Sequence, residues 1–553
     1  MSLRCGRLAF KRGNGCTDFF QNGLAVALNR EKPLKGKKAV VIGATPSGLA
    51  AAITLATAGA RVRVLEESDR CGGTLQDLQI GDFRFHLGAE FMTSTQVLAR
   101  LFSLADHRLS DFITFRPCNP GARLILPDGK TLDLYRETER LSEEIAKFSP
   151  KDAEQFRKQW SRFEAEALDA EEHLFLVPST GNWRWRKMLS TISGIRVFKS
   201  AFYVPSFARY LRKNFAEHGV YDIYRFYLSR LGTTPYSGGK MLRALATLEH
   251  CRGFWAPEGG MSALVDALVR LAREKGVKFH FNTRVKEITT AQKAVQKVRT
   301  TTLEDLAVDM VFSTADPRLV LNRYFESTAS REEELRRYKR MKASPSLLAF
   351  FWGLKKPVPG LEALQTVLLG SDDREIDRQL LRWRIPPAEG DLVITNESAL
   401  FSNAAPEGRQ ALKVVTLAPS LSDRFRWSPE TIRAERDRIL ARLNARGFAL
   451  QEEDFEEEYC ISPADWGDLT GNPGGSLFGT GLLRRGDWSR RFPNRSSSIR
   501  GLYYTGEFTH PGPTLPLAIT SGMLAAELAQ RDGLRIQQAE LIAESVAAAS
   551  TEV

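Results

Sequence analysis

The stretch KKAVVIGATPSGLAAAITLATAGARVRVLEE, residues 37–67, constrains the fold of this chain more than any other. Lys38 to Gly43 is the β-branched run of a buried parallel strand, Leu49 to Thr57 is a run of helix formers stopped near Gly59, and Arg61 to Leu65 reads as a second strand ending at Glu66. Strand, glycine turn, helix, strand and acid is the order of a dinucleotide-binding unit. In such a unit Gly43 makes the tight turn, a second glycine admits the pyrophosphate, and Gly48 lets helix and strand pack closely. Thr45 stands at the second of these positions. Its hydroxyl is able to donate to a phosphate oxygen, the helix N-terminus around Ser47 offers backbone N–H groups and a favourable dipole, and Glu66 would accept hydrogen bonds from a ribose.

With 553 residues, 43% of them hydrophobic and 26% charged, the chain is long enough for more than one core, and two domains sharing one ligand are expected. Basic residues outnumber acidic ones by 78 to 66, which favours an anionic partner such as a membrane surface, a nucleic acid or a phosphorylated ligand. The six cysteines form no Cys-x-x-Cys pair and the histidines show no ligand spacing, so neither a disulfide framework nor a metal site is expected, and a reducing compartment fits best. No apolar run reaches the roughly 18 residues of a spanning helix. The basic, acid-poor residues 1–35 read as an N-terminal extension rather than a targeting segment.

After Glu66, the stretch EESDRCGGTLQDLQIGDFRFHLGAEFM (66–92) places Gly72, Gly73 and Thr74 directly behind the acid and a further glycine turn at Gly88. This arrangement resembles the FAD-binding front end shared by flavin amine oxidases and phytoene desaturase-type carotenoid enzymes, with Thr74 where that family usually has Arg. Three more segments follow in the family's order: GFWAPEGGMSALVDALVRLAREKGVKFHFNTRVKEI (253–288), VDMVFSTADPRLVL (308–321) and SPSLLAFFWGLKKPV (344–358). The strongest likeness is RFPNRSSSIRGLYYTGEFTHPGPTLPLAITSGMLAAELA (491–529), which resembles the C-terminal flavin signature of phytoene desaturases, although the Gly506–Glu507 pair leans toward the amine oxidases.

The resemblance implies an α/β protein: a discontinuous Rossmann-type FAD-binding domain with an inserted α+β substrate domain. The FAD-binding parts would be 36–120, 253–330 and 485–535, the substrate domain 121–252 and 331–484, and the tail 536–553. FAD would be held by Gly43, Thr45, Ser47, Gly48, Glu66, Gly72, Gly73 and Thr74 at the front, and by Gly506, Glu507, Pro516 and Leu517 at the C-terminal end. A strand over Leu502–Thr505, a proline-stiffened loop over Thr509–Pro516 and a helix over Leu517–Leu528 would frame the flavin. The implied activity is that of an FAD-dependent oxidoreductase on a long apolar polyene or isoprenoid, a desaturase, isomerase or saturase, with hydride passing to flavin N5. An amine or amino-acid oxidase is the alternative, and a binding protein that has lost flavin is a third class. Only one dinucleotide fingerprint is visible, so electrons are expected to leave to oxygen or a quinone.

Residues 182–215 carry eight Arg or Lys and no acid, interleaved with eight aromatic residues. Basic residues beside aromatic anchors suit peripheral association of a cytoplasmic protein with an anionic membrane, and equally an amphipathic helical pair covering the substrate domain. No nucleic-acid partner is expected, because the flavin scaffold offers no module for one. Asp465–Gly479 reads as a glycine-rich loop bordering the substrate tunnel, and Ala539–Ala549 as a frayed helix. His510, on the stiff THPG turn, has two readings: a base that takes the substrate proton, or a structural ring that holds the loop.

Overall fold

A computed structural model describes residues 32–180, 207–215, 218–237, 241–339, 341–401, 403–479 and 491–551. The opening stretch folds as its pattern predicts: strand β1 (Lys38–Ile42), helix α1 (Pro46–Thr57) and strand β2 (Arg61–Leu65). Helix α1 starts three residues earlier than the run of helix formers suggests, because Pro46 fits the first helical position and Thr45 caps it. Its residues from Pro46 to Leu55 are buried, so α1 is a central helix with no solvent face.

Three later segments return to this unit. Helix α2 (Met261–Glu274) leads to β3 (Lys278–His280), then come β4 (Met310–Ser313), β5 (Leu502–Tyr504) and helix α3 (Leu515–Thr551). The parallel sheet runs β5–β4–β1–β2–β3, with Val40 opposite Val311 and Arg63. Chain separated by hundreds of residues thus converges on one sheet, and the cofactor-binding fold is discontinuous. The segment read as a frayed tail belongs to α3, which runs without a break past position 535. Helices α1 and α3 touch at Gly522, where an added Cβ would lie 2.1 Å from the Ser47 carbonyl oxygen.

The second layer is a seven-stranded sheet ordered Phe455–Ile461, Ser346–Leu354, Gln410–Ala418, Leu392–Asn396, Gln365–Leu368, Arg123–Ile125 and Thr131–Asp133. Its pairs are antiparallel apart from Gln365–Leu368 with Arg123–Ile125. The period of two along Gln410–Ala418 sorts its faces. Leu412 and Val414 pack with Ile439, Leu440 and Leu443 of the helix Pro429–Asn444, whereas Lys413, Val415 and Leu417 face a cavity. Helices Pro150–Ala170, His218–Ser229 and Met241–Arg252 form a third core around Phe156, Phe163, Phe207 and Tyr224.

A buried histidine ties the layers together. The His86 Nδ1–H donates to Glu397 at 2.7 Å while its Nε2 accepts the Met261 N–H at 3.0 Å, linking the front end, the large sheet and the start of α2. The stretch 465–479 departs from its expected loop. Pro463–Thr470 is a helix, because Ser462 and Asp465 form a reciprocal capping box with Pro463 at the first turn, and Gly471 in the left-handed conformation ends it.

Candidate active site

The turn after β1 shows why its first and third glycines are fixed. Gly43 has φ +97°, and an added Cβ would lie 2.1 Å from Thr314 Oγ1; a Cβ on Gly48 would lie 2.1 Å from the Gly43 carbonyl oxygen. Thr45 is different. Its backbone is extended, φ −73° and ψ 166°, a conformation open to any residue, and its Oγ1 accepts the Gly48 N–H at 3.4 Å while pairing with Ser47 Oγ at 3.0 Å. Its methyl lies over Gly73, where an added Cβ would come within 3.2 Å of Thr45 Cγ2. The bulk added at position 45 is therefore matched by the missing side chain at position 73.

Glu66 is fixed at the end of β2. One carboxylate oxygen accepts the Ala44 N–H at 2.7 Å and the other accepts the N–H and hydroxyl of Ser68, each at 2.9 Å, with lone pairs left over for a ligand.

These groups open onto one cavity of about 910 Å³. Of the residues expected to hold the cofactor, Gly43, Thr45, Ser47, Glu66, Gly72, Gly73, Thr74, Gly506, Glu507 and Pro516 line it. Gly48 and Leu517 do not. Gly48 acts by packing, and Leu517 is buried in the helical core around Phe156, Phe207 and Tyr224. A backbone cradle, the N-terminus of α1, an anchored acid and a cavity of this size fit a dinucleotide.

At the other edge, Gly506 has φ +103°, and its N–H donates to Ser521 Oγ at 3.2 Å. Glu507 looks into the cavity. Burial pushes its carboxyl up to about 7, opposed by a hydrogen bond from Asn472 and by the Arg491 charge. His510 does not line the cavity. It is 2% exposed, its Nε2–H donates to the Val177 carbonyl at 2.8 Å, and burial presses its pKa down to about 4.

Beyond the glycine turns, the wall is the open face of the large sheet: Leu347, Ala349, Val393, Val415 and Leu417, with Gln365 and Lys413 among them. Lys413 donates to Glu90 at 2.7 Å and to the carbonyls of His86 and Gly88. Burial alone would raise the Glu90 carboxyl, but Lys413 overrides it and holds the pKa low. Trp466, Asn472 and Phe478 bring the stretch 463–479 to the same cavity, the position its sequence suggests despite its helical start.

Sequence reasoning missed Thr314, Arg230, Glu249 and Lys413, which all line the cavity. None sits at a fixed offset from a glycine, so no spacing marks them. Among the described residues no group of acids, cysteines and histidines is arranged for a metal ion, and no helix is long and apolar enough to cross a membrane.

The sequence matches the family model for flavin containing amine oxidoreductases over residues 46–529. It is 30% identical over 504 residues to a phytoene desaturase (lycopene-forming) of Pseudescherichia vulneris, covering 90% of this chain and 99% of that protein. It is 25% identical over 492 residues to a 4,4'-diapolycopene oxygenase of a Methylomonas species, covering 89% and 97%. In fold it is similar to an oxidoreductase of Methanosarcina mazei, with a TM-score of 0.59 and 14% identity over 89% of this chain and 99% of that one.

Proposed function

From a chain that belongs to the flavin containing amine oxidoreductase family, and is an FAD-dependent oxidoreductase, we propose an enzyme that acts on a long acyclic polyene, as a carotenoid desaturase or a close variant of one. One observation carries this reading: a single cavity joins the dinucleotide cradle at Gly43 and Glu66 to an apolar sheet face formed by Leu347, Ala349, Val393, Val415 and Leu417. Such a wall holds a hydrocarbon chain by burial and keeps water out.

Gly43, Ser47 and the N-terminus of α1 would hold the pyrophosphate, Glu66 a ribose, and Gly506 with the following loop the ring end of FAD. Bound FAD supplies a two-electron acceptor. The chain's own task is to lay adjacent substrate carbons against the ring end while one loses a hydride and its neighbour a proton, which positioning and dryness favour without a strong base. Glu507, whose carboxyl sits near 7 at the cavity edge, is the group placed to hold that proton. His510 faces Val177 instead and holds the loop.

The phytoene desaturase and diapolycopene oxygenase relatives favour a polyene over an amine. The final electron acceptor is then oxygen or a quinone. We also propose peripheral association with anionic membranes. Most of the basic, aromatic stretch 182–215 lies outside the described residues. Its described end, helix Phe207–Asn214, buries Phe207 and Leu211 and turns Arg209, Arg212 and Lys213 outward.

One experiment tests both. The FAD-loaded protein is mixed anaerobically with anionic liposomes carrying an acyclic polyene, and in parallel with a primary amine. Bleaching of flavin absorbance by the polyene alone, restored by oxygen or a quinone, with co-sedimentation of protein and liposomes, is expected. Bleaching by the amine alone would reject the polyene, and protein left in the supernatant would reject the membrane.

A further inference from the structure

Two charged side chains in the cavity wall have no task in binding a plain hydrocarbon. Arg230 follows the helix His218–Ser229, and its guanidinium carbon lies 5.0 Å from the ring centre of Phe91, 5.3 Å from Phe254 and 5.7 Å from Phe226. Aromatic faces attract a cation through their quadrupole but satisfy none of its N–H groups as a carbonyl or carboxylate would. Arg230 Nε is buried without a hydrogen-bond acceptor among the described residues. Such a group costs stability unless a ligand completes it.

Glu249, on the helix Met241–Arg252, is 6% exposed and opens into the same cavity. It feels the charge of Arg230, but the two form no direct ion pair among the described residues, so neither side chain uses up the other's hydrogen-bonding groups. Burial lifts the Glu249 carboxyl to about 7, with Arg230 opposing the rise, so that near neutral pH it is partly protonated and able to donate.

The two side chains together discriminate among ligands. An ammonium group would be set against the fixed cation of Arg230. A pure hydrocarbon would cover both polar groups and pair neither. An acceptor oxygen would take N–H donation from Arg230 and, when Glu249 is protonated, O–H donation from the carboxyl as well.

We propose that Arg230 and Glu249 form a subsite for a terminal carbonyl or carboxylate oxygen, so that the preferred substrate is an apolar polyene already oxygenated at one end. The inference rests on the polyene reading above and narrows it. A substrate of this class must be supplied by a reaction that oxidises the chain terminus.

The test uses the FAD-loaded protein and three acyclic polyenes of equal length: the hydrocarbon, its terminal aldehyde and its terminal carboxylate. Binding is followed by the shift in polyene absorption. A hydrogen bond to a charged group is worth about ten- to a hundredfold in affinity, and at least one oxygenated chain is expected to bind tighter than the hydrocarbon by that factor. Arg230→Met should bring the ratio to about one with FAD content unchanged. Glu249→Gln keeps a donor, so the aldehyde preference should survive, while the change of carboxylate binding with pH near 7 shrinks to the part that Glu507, in the same cavity, contributes. Wild-type protein that binds the hydrocarbon as tightly as both oxygenated chains would overturn the subsite and leave the polyene reading standing. Binding of none of the three by FAD-loaded protein would overturn both. Loss of FAD in Arg230→Met would assign Arg230 to the cofactor and overturn the subsite.

Discussion

The two ends of the cavity are built on different plans. At the dinucleotide end two short stretches, 43–74 and 506–516, meet residues 283–285 and 314–316, and the two stretches contribute mainly glycine turns and a helix start: the turn at Gly43, the N-terminus of α1, and Gly72, Gly73 and Gly506. At the far end they come from side chains on separate elements, among them Glu90, Arg230, Glu249, Gln365, Val393 and Lys413. A backbone-built site needs missing side chains at fixed offsets. A side-chain site needs only that distant residues meet, which leaves no spacing behind.

The sharpest way to break this contrast is at Lys413, the side chain that joins the two ends. It is 3% exposed, paired with Glu90 at 2.7 Å, and anchored to the carbonyls of His86 and Gly88. Lys413→Met leaves the Glu90 carboxylate buried without its partner, an expected loss of about 3–5 kcal/mol in denaturant unfolding. Removing both charges in Lys413→Met/Glu90→Gln should recover most of it. A single variant within about 1 kcal/mol of wild type would mean that water reaches Glu90 and the pair does not organise the loop.

What was legible in the sequence follows the same division. The strand–turn–helix from Lys38 to Thr57, the acid at Glu66 and the turn at Gly506 were readable because each backbone role restricts the residue that can fill it. The early start of α1 at Pro46 and the helix Pro463–Thr470 were open to reading from Thr45-Pro46 and from Ser462-Pro463 with Asp465, cap signals outweighed by the nearby glycines. Arg230 and Glu249 were not readable. Their meeting depends on how the helices around Tyr224 pack onto the large sheet, and no local pattern encodes that. His510 lay between the two cases: the THPG turn fixed its place in the chain, but whether its ring faced the cavity or Val177 depended on a residue 333 positions away.

The second prediction separates those two orientations of His510. Its folded pKa of about 4 lies below the ordinary value of 6.5, so the unfolded chain takes up the proton first as the pH falls. The stability owed to the neutral buried ring is therefore complete above pH 6.5 and lost between 6.5 and 4, by up to about 3 kcal/mol. His510→Asn should lose less stability than wild type over that window, by about this amount. His250, also pressed down by burial to about 4, remains to give the variant its own acid sensitivity. Single-turnover flavin reduction should stay within tenfold of wild type. A hundredfold loss with FAD content intact would reinstate His510 as the base.

The smallest effect is expected at Thr45, where the family pattern would place a glycine. Were that glycine required by conformation, Thr45 would hold a strained backbone, and instead it is extended at φ −73°. Were it required by space, the methyl would press on a neighbour, and instead it lies over Gly73, which has no side chain to meet it. The hydroxyl caps α1 through a long 3.4 Å contact with the Gly48 N–H, and replacing a threonine cap by glycine costs only a few tenths of a kcal/mol. Thr45→Gly is therefore expected to leave FAD affinity within about threefold of wild type, an energy of about 0.7 kcal/mol or less, as measured by flavin fluorescence on rebinding to stripped protein. A tenfold gain would show that the threonine crowds the pyrophosphate despite Gly73. A tenfold loss would show that its hydroxyl donates to a phosphate oxygen, and one contact of the backbone-built end would then be a side chain after all.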